Sequence, residues 1–158
     1  MFATFHEHII RVSYGEDDGL TVEEMWAALK EFVQKPQEFI EHLSASDILD
    51  KTETETGYTL KRRLHFSQNL VIQDTVDVRE TAHEVVTMVE GTKDFPASSF
   101  LVKLEEPEKG NLFLRFVYEE EPRNENPMYE EVRKQAYQNK DEFLVKELLQ
   151  WAMLKRAS

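Results

Sequence analysis

The chain contains no cysteine. That excludes a disulfide framework, a thiolate metal site and a thiol nucleophile together. No apolar stretch approaches the roughly 18 residues that a membrane-spanning helix requires, and Met1 to His8 lacks the basic segment and apolar run of a leader. Basic residues are few: 19 Lys and Arg stand against 31 Asp and Glu, for a net charge of -12 and a pI near 4.9. Such a surface repels phosphates. The one basic run, Lys61-Arg62-Arg63, is short and lies inside a strand pattern, which argues against nucleic acid as a partner. Also missing are the G-x-S-x-G, P-loop and dinucleotide fingerprints, internal repeats, low-complexity tracts and any second domain boundary. The expectation is one soluble, cytoplasmic domain over residues 1–158, with 41% hydrophobic residues to build a core.

What is present is organised around the C-terminal thirty residues. Tyr129, Val132, Ala136, Tyr137, Leu144, Leu148 and Trp151 recur at three-and-four spacing, one stripe of a helix. From Pro127 to Leu154 such a helix is about 40 Å long, enough to cross a small domain. The same stripe carries Arg133 and Lys140, where a purely core-filling helix would show Leu or Ala. For Lys140 the plain reading is a stem laid on apolar surface with its head in water.

Ahead of that helix, Phe5 to Ser13 alternates as a strand, with His6, His8, Ile10 and Val12 on one side. Tyr14 to Gly19 is a polar loop. Thr21 and Glu24 form a capping box for a helix burying Met25, Trp26, Leu29, Phe32 and Val33, which must end before Pro36. A second short helix is expected from Pro36 to Leu43. The period then changes to two. Ala45–Glu53, Tyr58–Phe66, Leu70–Arg79, Ala82–Glu90, Ser98–Glu106 and Asn111–Glu120 read as strands. Turns as short as Glu55-Thr56-Gly57, Ser67-Gln68-Asn69 and Pro107 to Gly110 make the meander antiparallel. The expected fold is α+β: a seven-stranded curved antiparallel sheet gripping a long C-terminal helix, with two short helices between strands 1 and 2.

Alternation also sets register. Phe66 opposite Leu70 places Leu64 against Ile72, Leu60 against Val76 and Arg62 against Asp74, on the inward face. The next hairpin is expected to set Val78 against Ala82, Val76 against Glu84 and Asp74 against Val86, adding Glu84 and Met88 to the inner wall. In the last, Phe100, Val102 and Leu104 match Phe116, Leu114 and Leu112, with Tyr118 near the open end. The inner surface is then aliphatic and aromatic with a few ionisable groups, the composition of a small-molecule pocket. Arg62 and Asp74 either neutralise one another or leave guanidinium donors for a ligand oxygen. Ligand-binding candidates are Arg62, Asp74, Glu84, Tyr118, Arg133 and Tyr137. His8 and Asp74 are candidate acid–base groups. His6 and His8 share a face, but His65 and His83 fall outward, so no metal site converges and no cofactor is expected. Outward-facing Phe113 and Val117 hint at a homodimer surface.

Several stretches, in this order, resemble one family: Glu7-His8-Ile9-Ile10, then Leu29 to Phe39 ending in Pro36-x-x-Phe39, then Arg62-Arg63-Leu64 with Asp74. Glu105-Glu106-Pro107 leading to Leu112-Phe113-Leu114-Arg115-Phe116, and Gln135-Ala136-Tyr137 followed by Asp141, complete the set. The chain thereby resembles the AtaL-like family of the SRPBCC superfamily, whose helix-grip fold includes START lipid-binding domains, birch-pollen-allergen-like proteins and polyketide cyclases. The resemblance implies that fold. Some fungal relatives are encoded among secondary-metabolite genes, which implies a polyketide- or peptide-derived aromatic ligand. No catalytic residues carry over. Three functions stay open: a binder of a small hydrophobic or amphipathic molecule, a cyclase- or dehydratase-type enzyme on a polyketide-like or aromatic substrate, and an interaction module with a filled core.

Overall fold

The elements run in chain order as β1 (Ala3–Arg11), α1 (Val22–Gln34), a 3-10 turn (Pro36–Glu38), β2 (Leu43–Glu53), β3 (Gly57–Phe66), β4 (Val71–Arg79), β5 (Glu84–Val89), β6 (Ser98–Glu108), β7 (Asn111–Glu120) and α2 (Pro127–Ala157). This computed structural model describes residues 1–13, 19–66, 69–93 and 96–158. The expected loop at Tyr14 to Asp18 and the first two residues of the Ser67-Gln68-Asn69 turn lie outside the described residues. All seven strands form one antiparallel sheet in the order β1-β7-β6-β5-β4-β3-β2. Six strands therefore follow as a meander. The exception is β1, which crosses to pair with β7, so the segment holding α1 spans from one sheet edge to the other.

Local sequence explains the helices. Thr21 Oγ1 accepts from the Glu24 N–H at 3.1 Å and Glu24 returns the bond to the Thr21 N–H at 3.1 Å, the capping box read from the sequence. The buried face of α1 is Met25, Trp26, Ala28, Leu29, Phe32 and Val33. Pro36 then permits a single 3-10 turn rather than a helix to Leu43. His42 takes a positive φ of 67°, reversing the chain so that Leu43 enters the ladder beside Phe66. At α2, Asn126 caps the Met128 N–H at 2.8 Å and Pro127 opens the first turn.

The long helix is held unevenly. Leu144, Val145, Leu148 and Ala152 are buried, and this half packs on α1. Tyr129 and Val132, expected to face the core, are instead 67% and 61% exposed. The first half is fastened by charge: Arg133 donates to Glu120 at 2.8 Å and to Glu125 at 2.9 Å, with its guanidinium 3.9 Å above the Phe5 ring. A bulge between Thr4 and His6 turns Phe5 to that side, against strict alternation.

At the far end, Arg156 donates to both carboxylate oxygens of Glu24, at 2.6 and 2.8 Å. That hydrogen bond, with help from the Thr21 cap, holds the Glu24 carboxyl down at about 2. A carboxyl whose folded pKa lies below its unfolded value stabilises the fold above the unfolded pKa and loses that contribution as pH falls towards the folded one. Arg156→Ala is therefore expected to cost up to about 1 kcal/mol at pH 7. Urea titrations should show the gap from wild type closing between about pH 4.5 and 2.

Candidate functional site

Among the described residues, two of the buried polar clusters lie between the sheet and the body of a helix. In the first, Arg62 of β3 faces Asp74 of β4, the register read from alternation. Its Nε and Nη2 donate to the two Asp74 oxygens at 2.9 and 2.7 Å, and the side chains are 7% and 2% exposed. Nη1 donates to the Val33 carbonyl at 2.8 Å. That carbonyl belongs to the last turn of α1, where no intrahelical partner exists and the helix dipole is negative. Arg62 thus spends its fork on a carboxylate and on a helix end, clamping α1 to the sheet.

The second cluster joins β1, β7 and α2. Asp141 is 1% exposed and accepts from the Tyr118 hydroxyl at 2.7 Å on each oxygen. His8 Nε2 lies 2.7 Å from Oδ2 and donates to it where the carboxyl is ionised. His8 stacks on Phe116, while Tyr118 stacks on Tyr137 at 4.1 Å between ring centroids and on Phe100 at 5.7 Å. Burial raises the pKa of Asp141, with the Lys140 charge and the hydrogen bonds from Tyr118 and His8 in opposition. Burial and the adjacent carboxylate push the Tyr118 hydroxyl well above the ordinary tyrosine range. Tyr118 is therefore a hydrogen-bond donor that stays protonated.

Two hollows adjoin this cluster. The larger, about 570 Å³, lies between the sheet, α2 and the loop after the 3-10 turn, with Phe32, Phe39, Ile40, Phe116, Asp141 and Phe143 among its walls. The smaller, about 330 Å³, is bordered by Ile72, Val89, Tyr118 and Tyr137. Phe100 and Lys140 belong to both and form the partition. Much of the Lys140 surface is reachable by water, with its ammonium against the rings of Phe100, Tyr118 and Tyr137. This agrees with the expected stem on apolar surface and head reachable by water, and adds that the residue borders both hollows.

The remaining candidates are placed elsewhere. Neither Arg62 nor Asp74 borders the two hollows. Arg133 is engaged by Glu120 and Glu125 near the start of α2. Glu84 and Met88 require correction. The β4–β5 hairpin pairs Arg79 with Glu84, Val78 with Val85 and Val76 with Thr87. A four-residue connection, with His83 at a φ of 55°, slips the register by an odd number and turns both side chains outward. Glu84 there meets Arg79 at 3.3 Å and Lys103 at 3.7 Å. The last hairpin slips by two, setting Phe100 opposite Tyr118. Its turn is the tight Lys109-Gly110 pair, and a bulge follows Glu105. An even slip keeps each side chain on its face. His65 pairs with Asp47 at 2.8 Å and His83 packs edge-on against Trp26.

Asp141 appeared in the sequence only as part of a resemblance. Its signal was available: in the series of partly buried Tyr137 and buried Asp141, Leu144, Leu148 and Ala152, spaced by three or four, it alone carries a charge.

A sheet wrapped on a terminal helix is the helix-grip architecture, and solved structures of that shape match along nearly the whole chain. The crystal structure of Ara h 8.0201 aligns with a TM-score of 0.64 at 14% identity, covering 97% of this chain and 99% of that one. The Zhui aromatase/cyclase from Streptomyces sp. R1128 aligns with a TM-score of 0.67 at 12% identity, covering 97% and 94%. No curated protein matches the chain. Residues 12–153 match the family described as acetylaranotin biosynthesis cluster protein L. The chain belongs to that family. None of its described helices is long and apolar enough to cross a membrane.

Proposed function

We propose that this protein binds a small hydrophobic or amphipathic molecule in the hollows between sheet and terminal helix, with Tyr118, Tyr137 and Asp141 at the polar end. The observation that carries the reading is the meeting of two recesses, walled by Phe32, Phe39, Phe100 and Phe116, at a cluster of hydroxyls and one carboxylate. An apolar body with a few convergent polar groups is what such a site suits. The description of the family as a biosynthesis-cluster protein points to a secondary metabolite as the ligand. The neutral fluorophore N-phenyl-1-naphthylamine is expected to bind saturably, one molecule per chain. Asn139→Trp, which places an indole in the larger hollow, should weaken that binding at least tenfold. Absence of saturable binding, together with no co-purified small molecule in native mass spectrometry, would refute the reading.

A second reading has its own support. Asp141, held by His8 and Tyr118 beside the larger hollow, is placed to exchange a proton with a bound carbonyl compound, as a cyclase or dehydratase requires. On that reading Asp141→Asn retains fluorophore binding and loses turnover of an aromatic polyketide-like substrate.

A further inference from the structure

Among the described residues, Lys140 is the one cationic group that borders both hollows. Three aromatic rings surround its Nζ, with centroids at 5.2 Å for Tyr118, 5.2 Å for Tyr137 and 5.6 Å for Phe100. Ring faces attract an ammonium but accept none of its hydrogens in the way an oxygen does. Among the described residues no carboxylate lies within ion-pair distance of this nitrogen. Of the acids on the walls of the hollows, two are committed elsewhere and Glu41 and Glu119 form no ion pair with Lys140. Asp141 accepts from Tyr118 and His8, and Glu120, on the wall of the smaller hollow, is held by Arg133 and Arg123.

In a chain carrying -12 overall, this lysine stands against three aromatic rings with no carboxylate partner among the described residues. Of the other basic residues of α2, Arg133, Lys134 and Arg156 each have an acidic partner, and only Lys140 combines the lack of one with a place on the wall of both hollows. Burial draws the Lys140 pKa below the ordinary lysine value, and the Asp141 charge opposes the shift. An anion arriving from outside would supply the acceptor that the fold withholds.

We propose that Lys140 is the docking group for an anionic oxygen of the ligand, a carboxylate, sulfonate or ionised phenol or enol, whose apolar body fills the larger hollow. The inference rests on the ligand-binding reading above and narrows it to hydrophobic acids. The Nζ hydrogens donate to the anionic oxygen, and the Tyr118 and Tyr137 rings hold the ammonium in place from behind.

Two fluorophores that differ only by an anionic group test it: 1-anilinonaphthalene-8-sulfonate and the neutral N-phenyl-1-naphthylamine. Wild type should bind the sulfonate more tightly. Lys140→Met, similar in length and without charge, should weaken sulfonate binding about 10- to 100-fold, the worth of a charge-assisted hydrogen bond. Binding of the neutral probe should change less than about twofold, showing that the variant is folded with its hollow intact, and Lys140→Arg should recover most of the sulfonate affinity. If both probes bind wild type and Lys140→Met leaves the sulfonate unaffected, or weakens both equally, the docking role is overturned while the ligand-binding reading stands. Failure of wild type to bind either probe overturns both.

Discussion

Arg62→Met, with Asp74 left in place, is expected to cost about 3 to 5 kcal/mol of folding stability, because it strands a carboxylate that is 2% exposed. It also orphans the Val33 carbonyl at the end of α1. For a chain of this size the melting temperature should fall by roughly 10 °C. The double variant Arg62→Met, Asp74→Leu removes both charges together and should recover most of the loss, since an apolar pair of similar volume leaves nothing uncompensated. Thermal and urea unfolding of the four proteins measure the coupling. If Arg62→Met unfolds no more easily than wild type, the clamp is not what holds α1. The same proteins separate structure from binding. At a temperature where each is folded, N-phenyl-1-naphthylamine should bind all four alike, because neither residue borders the hollows.

The second large effect lies on α2. Leu148 is 0% exposed where the helix packs on α1, whereas Val132, four turns earlier, is 61% exposed. Leu148→Ala is expected to cost about 2 to 5 kcal/mol, the sum of lost burial and the cavity left behind. Val132→Ala should stay within about 0.5 kcal/mol. Comparable losses at both positions in urea titrations would mean that the helix is seated along its whole length, and that the space beneath its first half is smaller than described.

These two contrasts also mark how far the sequence could be read. Strand alternation was sufficient for Arg62 and Asp74, because a slip of one residue in β3–β4 would have buried Gln73 and Asp77. It was insufficient for β4–β5. There Ala82 and His83 suited a strand as well as a turn, and only the left-handed backbone of His83 decides the loop length. With the loop length went the facing of Glu84 and Met88. On α2, periodicity located the stripe but not its occupancy. Tyr129 and Val132 obey the spacing of a buried face yet lie over no packed partner, since burial depends on what stands opposite and a helix pattern does not carry that. Lys140 and Asp141 were obscured for a related reason. A lysine beside an aspartate near the middle of a helix resembles solvated surface until the neighbouring strands bring Phe100, Tyr118 and His8 against them.

His8 and Asp141 are separated by 133 positions, and the bond between them needs the first strand closed against the seventh and the last helix laid across both. No fragment of the chain can therefore own this pocket. A protein cut anywhere between Glu121 and Pro127 keeps every strand of the sheet and loses the carboxylate, the amine and one of the two stacked phenols at a stroke. On the proposed binding of hydrophobic acids, occupancy by a fluorescent one would double as an assay for completed assembly, reporting on the first strand and the last helix at once.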